Sequence, residues 1–175
     1  MGTPLKDRDD LLRLALDTQR DQYGELSDTW RNIDTKAQGA GAIAGVFLAA
    51  LFAWIRDLPA TFTAGQRWLL VGGIVLPVLS AVFALLALRI RTVSAPPLGD
   101  ETQEMVDDLL NPAKIQELPE RLPGFAYDQI RAWRATNSDM HRQNLRKARW
   151  VQAAQWLLFV TAAVVAALAV IAALS

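Results

Sequence analysis

The chain has 175 residues, of which 52% are apolar, and its 18 basic and 18 acidic side chains give a formal net charge of zero. The balanced charge excludes a global basic field, so we expect no nucleic-acid partner. The lack of cysteine excludes disulfides, thiolate catalysis and Cys-ligated metals, and the single histidine, His141, argues against a His-based metal site or a Ser/His/Asp triad. Because the apolar residues are concentrated in blocks, the composition indicates a small membrane protein.

Residues 1–36 predict a charged amphipathic helix. Residues 6 to 36 carry fourteen charges, and a stripe with alternating spacings of four and three residues runs among them: Leu12, Leu16, Gln19, Tyr23, Leu26, Trp30, Ile33 and Ala37. This is the heptad seam of a helix that packs lengthwise on a partner, with Gln19 as a polar break. The partner is either another helix of the same chain or a further copy of the protein. Asp9 or Asp10 marks the expected start, since aspartate is favoured at the positive end of the helix dipole.

Three uncharged runs predict three transmembrane helices, at residues 37–55, 68–88 and 150–174. The first run has nineteen residues and, at about 1.5 Å of helical rise per residue, it matches a hydrocarbon core of about 30 Å. We expect the charged N-terminal helix to continue into this run without a break. Gly41 and Gly45 form a GxxxG pattern there, which lets a second helix approach closely. That second helix is either the next span of the same chain or the same span of another copy.

The segments between the spans differ in length and charge. Residues 56–67 form a short turn, whereas residues 89–124 form a proline-rich acidic linker with one short helix, from about Asp100 to Leu110. A helical pattern then resumes over residues 125–149, and we expect it to continue into the third span. Its stripe is only partly apolar: Ile130, Trp133, Asn137, Met140 and Asn144. A buried amide at such a position fixes the register of packed helices at a cost in stability.

Basic residues near the ends of the predicted spans set the orientation. The 56–67 turn holds only two of them, and the others cluster on the opposite side: Arg31, Lys36, Arg89, Arg91, Arg142, Arg146, Lys147 and Arg149. The positive-inside rule therefore places the N-terminus and residues 89–149 in the cytosol, and the turn and the C-terminus outside. The helices that lead into the first and third spans can then lie parallel, side by side. The expected fold class is all-α, with three spans and a cytosolic helical stalk.

No residue pattern in the chain predicts catalysis. The sequence lacks a phosphate-binding glycine loop, a nucleophile elbow, a metal-ligand cluster and paired intramembrane carboxylates, so we expect neither an enzyme nor a metal cofactor. The spans carry no ionisable residue, which argues against an ion-coupled transporter. Three spans are also few for a pathway within one chain. A pore would have to come from an oligomer or from disruption of the bilayer.

Two short motifs stand where the outer spans enter the membrane. Asp34-x-Lys36-Ala37 follows the charged helix into the first span, and Asn144-x-x-Lys147 leads into the third. This layout resembles the Pycsar transmembrane effectors of bacterial anti-phage signalling and, more loosely, the SLATT effectors. The resemblance implies a cytosolic helical region that responds to a cyclic nucleotide made by a partner cyclase. The membrane part would then assemble into a homo-oligomer and damage the inner membrane, with Asp34, Lys36, Asn144 and Lys147 coupling the two regions.

Two hypotheses remain for the charged residues and two for the whole chain. Asp34 can pair with a base such as Lys147 while Lys36 extends to lipid headgroups, or else Arg31, Lys36, Arg146 and Lys147 bind the phosphate of a nucleotide. The chain is either a membrane-disrupting effector or a small scaffold subunit that docks a soluble partner through its cytosolic helices.

Overall fold

The structure, a computed structural model, describes residues 4–56, 63–90, 100–109, 111 and 118–174. These residues form four α-helices and no strand: α1 (Pro4–Arg56), α2 (Ala64–Arg89), α3 (Asp100–Leu109) and α4 (Leu118–Leu174). Helices α1, α2 and α4 each contain an apolar segment that is long enough to cross a membrane. The expected all-α fold with three spans is therefore confirmed.

The apolar segments face outward more than inward. Only 17% of the apolar segment of α1, 22% of that of α2 and 17% of that of α4 is buried inside the protein. In water such exposure of apolar surface would be very unfavourable, whereas in a bilayer the lipid tails cover it. The chain is thus built as a multi-pass membrane protein.

The observed helix boundaries differ from the predicted ones at three starts. Helix α1 begins at Pro4 rather than at Asp9 or Asp10, and it continues unbroken to Arg56, as expected. Helix α2 begins at Ala64, four residues before the predicted span, because Thr63 caps it. The Thr63 hydroxyl accepts from the backbone N–H of Gln66, and the Gln66 side chain accepts in return from the Thr63 N–H. This capping box is a local signal in the sequence that the apolar run alone does not reveal.

Helix α4 begins at Leu118 and not at residue 125, although prolines occur at positions 119 and 123. Pro119 lies in the first turn, where backbone N–H groups have no intrahelical acceptor in any case. Pro123 removes a single hydrogen bond near the helix start. The short helix of the acidic linker is present as α3, whereas residues 91–99, 110 and 112–117 of that linker and residues 57–62 of the turn lie outside the described residues.

The chain divides into two compact units. Unit 1 comprises Met1–Thr29 and Thr92–Gln143, and unit 2 comprises Trp30–Arg91 and Asn144–Ser175. Helices α1 and α4 contribute to both units. The division on α1, at Thr29, falls within the predicted charged helix and not at its end.

In unit 1 the predicted heptad seam of α1 contacts α4. Asn137 donates from Nδ2 to the backbone carbonyl of Gln19 at 2.9 Å and to its side-chain oxygen at 3.1 Å. The rings of Tyr23 and Trp133 meet edge to face, with their centroids 5.5 Å apart. Gln19, the polar break in the α1 seam, therefore pairs with the buried amide of Asn137 in the α4 stripe. Of the two partners expected for the seam, a helix of the same chain is the one observed here.

In unit 2 three helices pack through small side chains. Two buried clusters join α1, α2 and α4: Ile33, Ala37, Ala87 and Val151 in the first, and Ala40, Ala44, Ala84, Ala154 and Leu158 in the second. From the first cluster to the second, the residue numbers rise in α1 and α4 and fall in α2. Helices α1 and α4 thus run parallel in this unit, and α2 runs antiparallel to both. Alanine at these positions allows the close approach on which helix association in lipid depends.

A side-chain hydrogen bond joins α2 to α4 in the same unit. The Ser80 hydroxyl, which is fully buried, donates to the backbone carbonyl of Ala154 at 2.9 Å. Pro77, one turn earlier, is also buried within α2. Hydrogen bonds of this kind between membrane helices contribute about 0.6 to 2 kcal/mol each.

Candidate functional site

The main candidate site centres on Lys147 of α4. Its side chain is only 1% exposed, and its ammonium group donates to Asp34 Oδ1 of α1 at 2.6 Å. The same nitrogen lies 3.4 Å from the centre of the Trp30 ring. We name Trp30, Asp34 and Lys147 the boundary site, because it lies where α1 and α4 change from charged to apolar sequence.

The sequence of α1 explains why two of these side chains meet the same cation. Trp30 and Asp34 are four residues apart on one helix, so they project from the same face, one turn apart. Ile33 and Ala37 of the same helix, each three residues after Trp30 or Asp34, pack with Ala87 of α2 and Val151 of α4. Ala37 and Ala87 are completely buried, which brings the helices close together and keeps water from this side of the boundary site.

The electrostatics of the site follow from the burial of Lys147. Removing an ammonium group from water is costly unless a counter-charge and further favourable contacts replace its hydration. Asp34 supplies the charge, and the face of the Trp30 indole supplies a cation–π interaction of about 1 to 2 kcal/mol in a desolvated setting. The Asp34 side chain is 30% exposed, so the carboxylate keeps partial contact with solvent. The predicted pairing of Asp34 with Lys147 is therefore present.

Asn144 lies one turn before Lys147 on the same helix and is buried. Buried Asn137 lies seven residues before it, at the same position of the heptad. Both positions belong to the predicted stripe of α4. A polar side chain buried at a helix interface restricts the register in which the helices can pack.

The four predicted phosphate-binding bases differ in burial. Arg31, Lys36 and Arg146 are exposed, whereas Lys147 is buried against Asp34 and Trp30. Of the coupling residues, Asp34, Asn144 and Lys147 are inside or at the edge of the packed interface, and Lys36 is at the surface. The ligand-binding role of the exposed bases stays a prediction.

The two glycines of the GxxxG pattern occupy different environments. A Cβ atom added to Gly41 would lie 3.9 Å from Ala84 Cβ of α2, whereas one added to Gly45 would have no heavy atom within 4 Å. Gly41 thus serves packing within the chain. Gly45 is on an open face, which is available to lipid or to a further copy.

Sequence reasoning missed two contributors to the packing of unit 2. The heptad pattern assigns Trp30 only to the seam, although its spacing of four from Asp34 places it on the face of the charged pair. Ser80 carries no pattern of its own within the second span, and only the packed structure reveals its bond to α4.

Within the described residues, no group of three or more His, Asp or Glu side chains is placed to hold a metal ion. Comparison with known proteins gives no further assignment, because no family model, no curated protein and no solved structure significantly matches the chain.

The substitution Asp34→Asn should destabilise the folded protein by about 3 kcal/mol, because it removes the carboxylate that pairs with the buried Lys147 ammonium. The measurement is reversible unfolding of the purified chain in detergent micelles. Asp21→Asn, the same change at an exposed position of α1, should alter the free energy of unfolding by less than about 0.5 kcal/mol. Equal effects of the two substitutions would show that the pair contributes nothing to stability.

Gly41→Leu should reduce the stability of the folded chain more than Gly45→Leu. At Gly41 the added side chain meets α2 and should destabilise the chain by about 1 to 3 kcal/mol, whereas at Gly45 it extends into open space. Thermal unfolding in micelles measures the difference, and Gly41→Ala, whose Cβ fits, is the control. A larger loss of stability for Gly45→Leu under conditions where the chain is monomeric would contradict the assigned packing.

Proposed function

We propose that the chain is a membrane effector of a bacterial anti-phage defence system, which a cyclic nucleotide triggers to oligomerise and to impair the inner membrane. The observation that carries the proposal is the boundary site. Asp34 and Lys147 belong to the two motifs that resemble the Pycsar transmembrane effectors, and these two residues form one buried ion pair. Residues that the resemblance names separately thus act on each other.

The boundary site suits a protein that must change its helix packing on a signal. An ion pair between two helices favours one relative position, because a small displacement separates the buried Lys147 ammonium from the Asp34 carboxylate. A ligand that binds better to another relative position of α1 and α4 can therefore shift the protein from one discrete arrangement to the other. The Trp30 ring makes the resting position more specific, since a cation–π contact requires the ammonium to lie over the ring face.

The outward surface of unit 2 supports oligomerisation. Most of each apolar segment is not buried within the chain, and Gly45 lies on an open face of α1. Three closely packed spans are few helices with which to line a pathway within one chain, so damage to the bilayer would require several copies. Small residues on an exposed helix face are the usual means by which membrane helices associate.

The proposed setting is the bacterial inner membrane, with the N-terminus in the cytosol and the C-terminus outside. The distribution of basic residues around the spans supports this orientation. The proposed functional partner is a nucleotide cyclase, and the proposed physical partners are the lipid bilayer and further copies of the chain.

A second candidate function is a scaffold subunit that binds a soluble partner. Leu11, Leu14 and Tyr127 of unit 1 are exposed apolar or amphipathic side chains outside the apolar spans. A docking surface on a protein partner would cover such residues. This function requires no change in membrane permeability.

Depolarisation of living bacteria distinguishes the two candidates. When the chain is expressed with its cognate cyclase and the cyclase is activated, we expect loss of membrane potential, measured with a potential-sensitive dye. Asp34→Asn should depolarise cells at a lower cyclase activity than the wild-type chain requires, because it weakens the contact that holds the resting position. Asp21→Asn should not change the response, at equal amounts of protein in the membrane fraction. An unchanged potential with the wild-type chain demonstrably inserted would contradict the effector. A stable co-purifying protein without toxicity would favour the scaffold.

A further inference from the structure

A cavity lies in unit 1, where the end of α3 meets the start of α4, and it shares no residue with the boundary site. Its volume is about 280 Å³ and it is lined by Asp108, Leu109, Arg121, Gly124, Phe125 and Asp128. The cavity is partly polar, unlike the packed interior of unit 2, and it holds an ionic pair, a third charged group and an aromatic ring.

Arg121 is the group in this cavity whose hydrogen bonding is incomplete. One guanidinium nitrogen, Nη2, donates to Asp108 Oδ2. The other, Nη1, is buried and has no acceptor among the residues that the structure describes. A buried donor without an acceptor costs about 1 to 3 kcal/mol, and more when the group is charged. The site therefore favours a molecule that brings an acceptor to Nη1.

The charges of the described lining residues limit what that molecule can be. Asp108 forms an ion pair with Arg121, and Asp128 adds a second carboxylate. A phosphate inside the cavity would meet two carboxylates and one guanidinium that is already paired, so it would be repelled. A neutral molecule with an acceptor for Arg121 and a donor for Asp128 fits the charges better.

The shape and the aromatic content of the cavity favour a flat molecule. Phe125 offers a ring on which a planar heterocycle can stack. A Cβ atom added to Gly124 would have no heavy atom within 4 Å, so this wall is open. A volume of about 280 Å³ lies just below the range of about 300 to 1,000 Å³ that is usual for sites of drug-sized ligands. It suits a single heterocycle.

We infer that this cavity binds the base of a nucleotide. The base would accept a hydrogen bond from Arg121 Nη1, donate an N–H to the Asp128 carboxylate and stack on Phe125, which are the contacts by which proteins recognise unpaired bases. The sugar and phosphate would lie outside the cavity. The inference rests on the proposed function in that it assigns the site of the activating cyclic nucleotide, and it places that site in unit 1 rather than at Arg31, Lys36, Arg146 and Lys147.

The test is isothermal titration of the full chain in lipid nanodiscs with each of the four common 3′,5′-cyclic mononucleotides. At least one should bind to the wild-type chain, and excess inorganic phosphate should not compete. Arg121→Lys, which keeps the charge but loses the planar fork, should weaken binding about 10- to 100-fold. Phe125→Leu should weaken it about 5- to 100-fold through loss of stacking.

Matched controls lie on the same helix. Arg131→Lys and Tyr127→Leu change exposed residues that do not line the cavity, and both should bind within about twofold of the wild-type chain. Asp128→Asn should weaken binding several-fold. Because Asp128 is exposed, this variant should fold, so it still tests the cavity if Arg121→Lys does not fold. Helix content and melting temperature are recorded for every variant.

The outcomes separate this site from the proposed function. If a cyclic nucleotide binds and depolarises cells but the cavity variants bind as the wild-type chain does, the site is wrong and the effector stands. If the cavity variants lose binding while cells with the wild-type chain keep their potential, the site stands and the effector is wrong. Failure of all four nucleotides to bind, or equal competition by phosphate, would overturn the inference.

Discussion

The burial of one ammonium group governs the packing of this protein. Lys147 is almost completely removed from solvent, and the carboxylate of Asp34 and the ring of Trp30 lie against its charge in place of water. The nearby alanine-rich clusters add close packing but do little to fix the register of the helices, because alanine side chains pack similarly in several registers. The charged pair favours one relative position of α1 and α4 in unit 2, and the apolar clusters that follow it along both helices then fit together.

The buried pair of Asp34 and Lys147 also provides a physical basis for the proposed switch between two states. A buried ion pair has two low-energy outcomes, in which it is either formed or separated and hydrated, and intermediate positions are unfavourable. Such a contact can hold a resting state until a ligand shifts the balance. Arg121 of the proposed nucleotide cavity and Lys147 of the boundary site are both on α4, so we expect this helix to carry the proposed signal. The exposed bases Lys36 and Arg146 can then contact lipid headgroups, which would make the response depend on anionic lipid.

The number and order of the membrane helices could be predicted from charge and hydropathy, because an uncharged run of about twenty apolar residues almost always forms a membrane helix. The Asp34–Lys147 pair could be predicted because both residues lie where an apolar span begins. Helix starts were less predictable. Thr63 and Gln66 needed recognition as a cap, and Pro119 and Pro123 indicated a linker although prolines near a helix start do little harm. The cavity at Arg121 and the bond from Ser80 to α4 depend on which helix faces which, and no local pattern in the sequence records that.

The most direct test of the buried pair is a double-mutant cycle between Asp34 and Lys147. The free energies of unfolding of the wild-type chain, Asp34→Asn, Lys147→Met and the double variant are measured in one detergent. If the pair orders the interface, the double variant should be at least about 2 kcal/mol more stable than the sum of the single effects predicts, because it buries no unmatched charge. Effects that add to within about 0.5 kcal/mol would show that the two residues do not interact, and would contradict the role assigned to the boundary site.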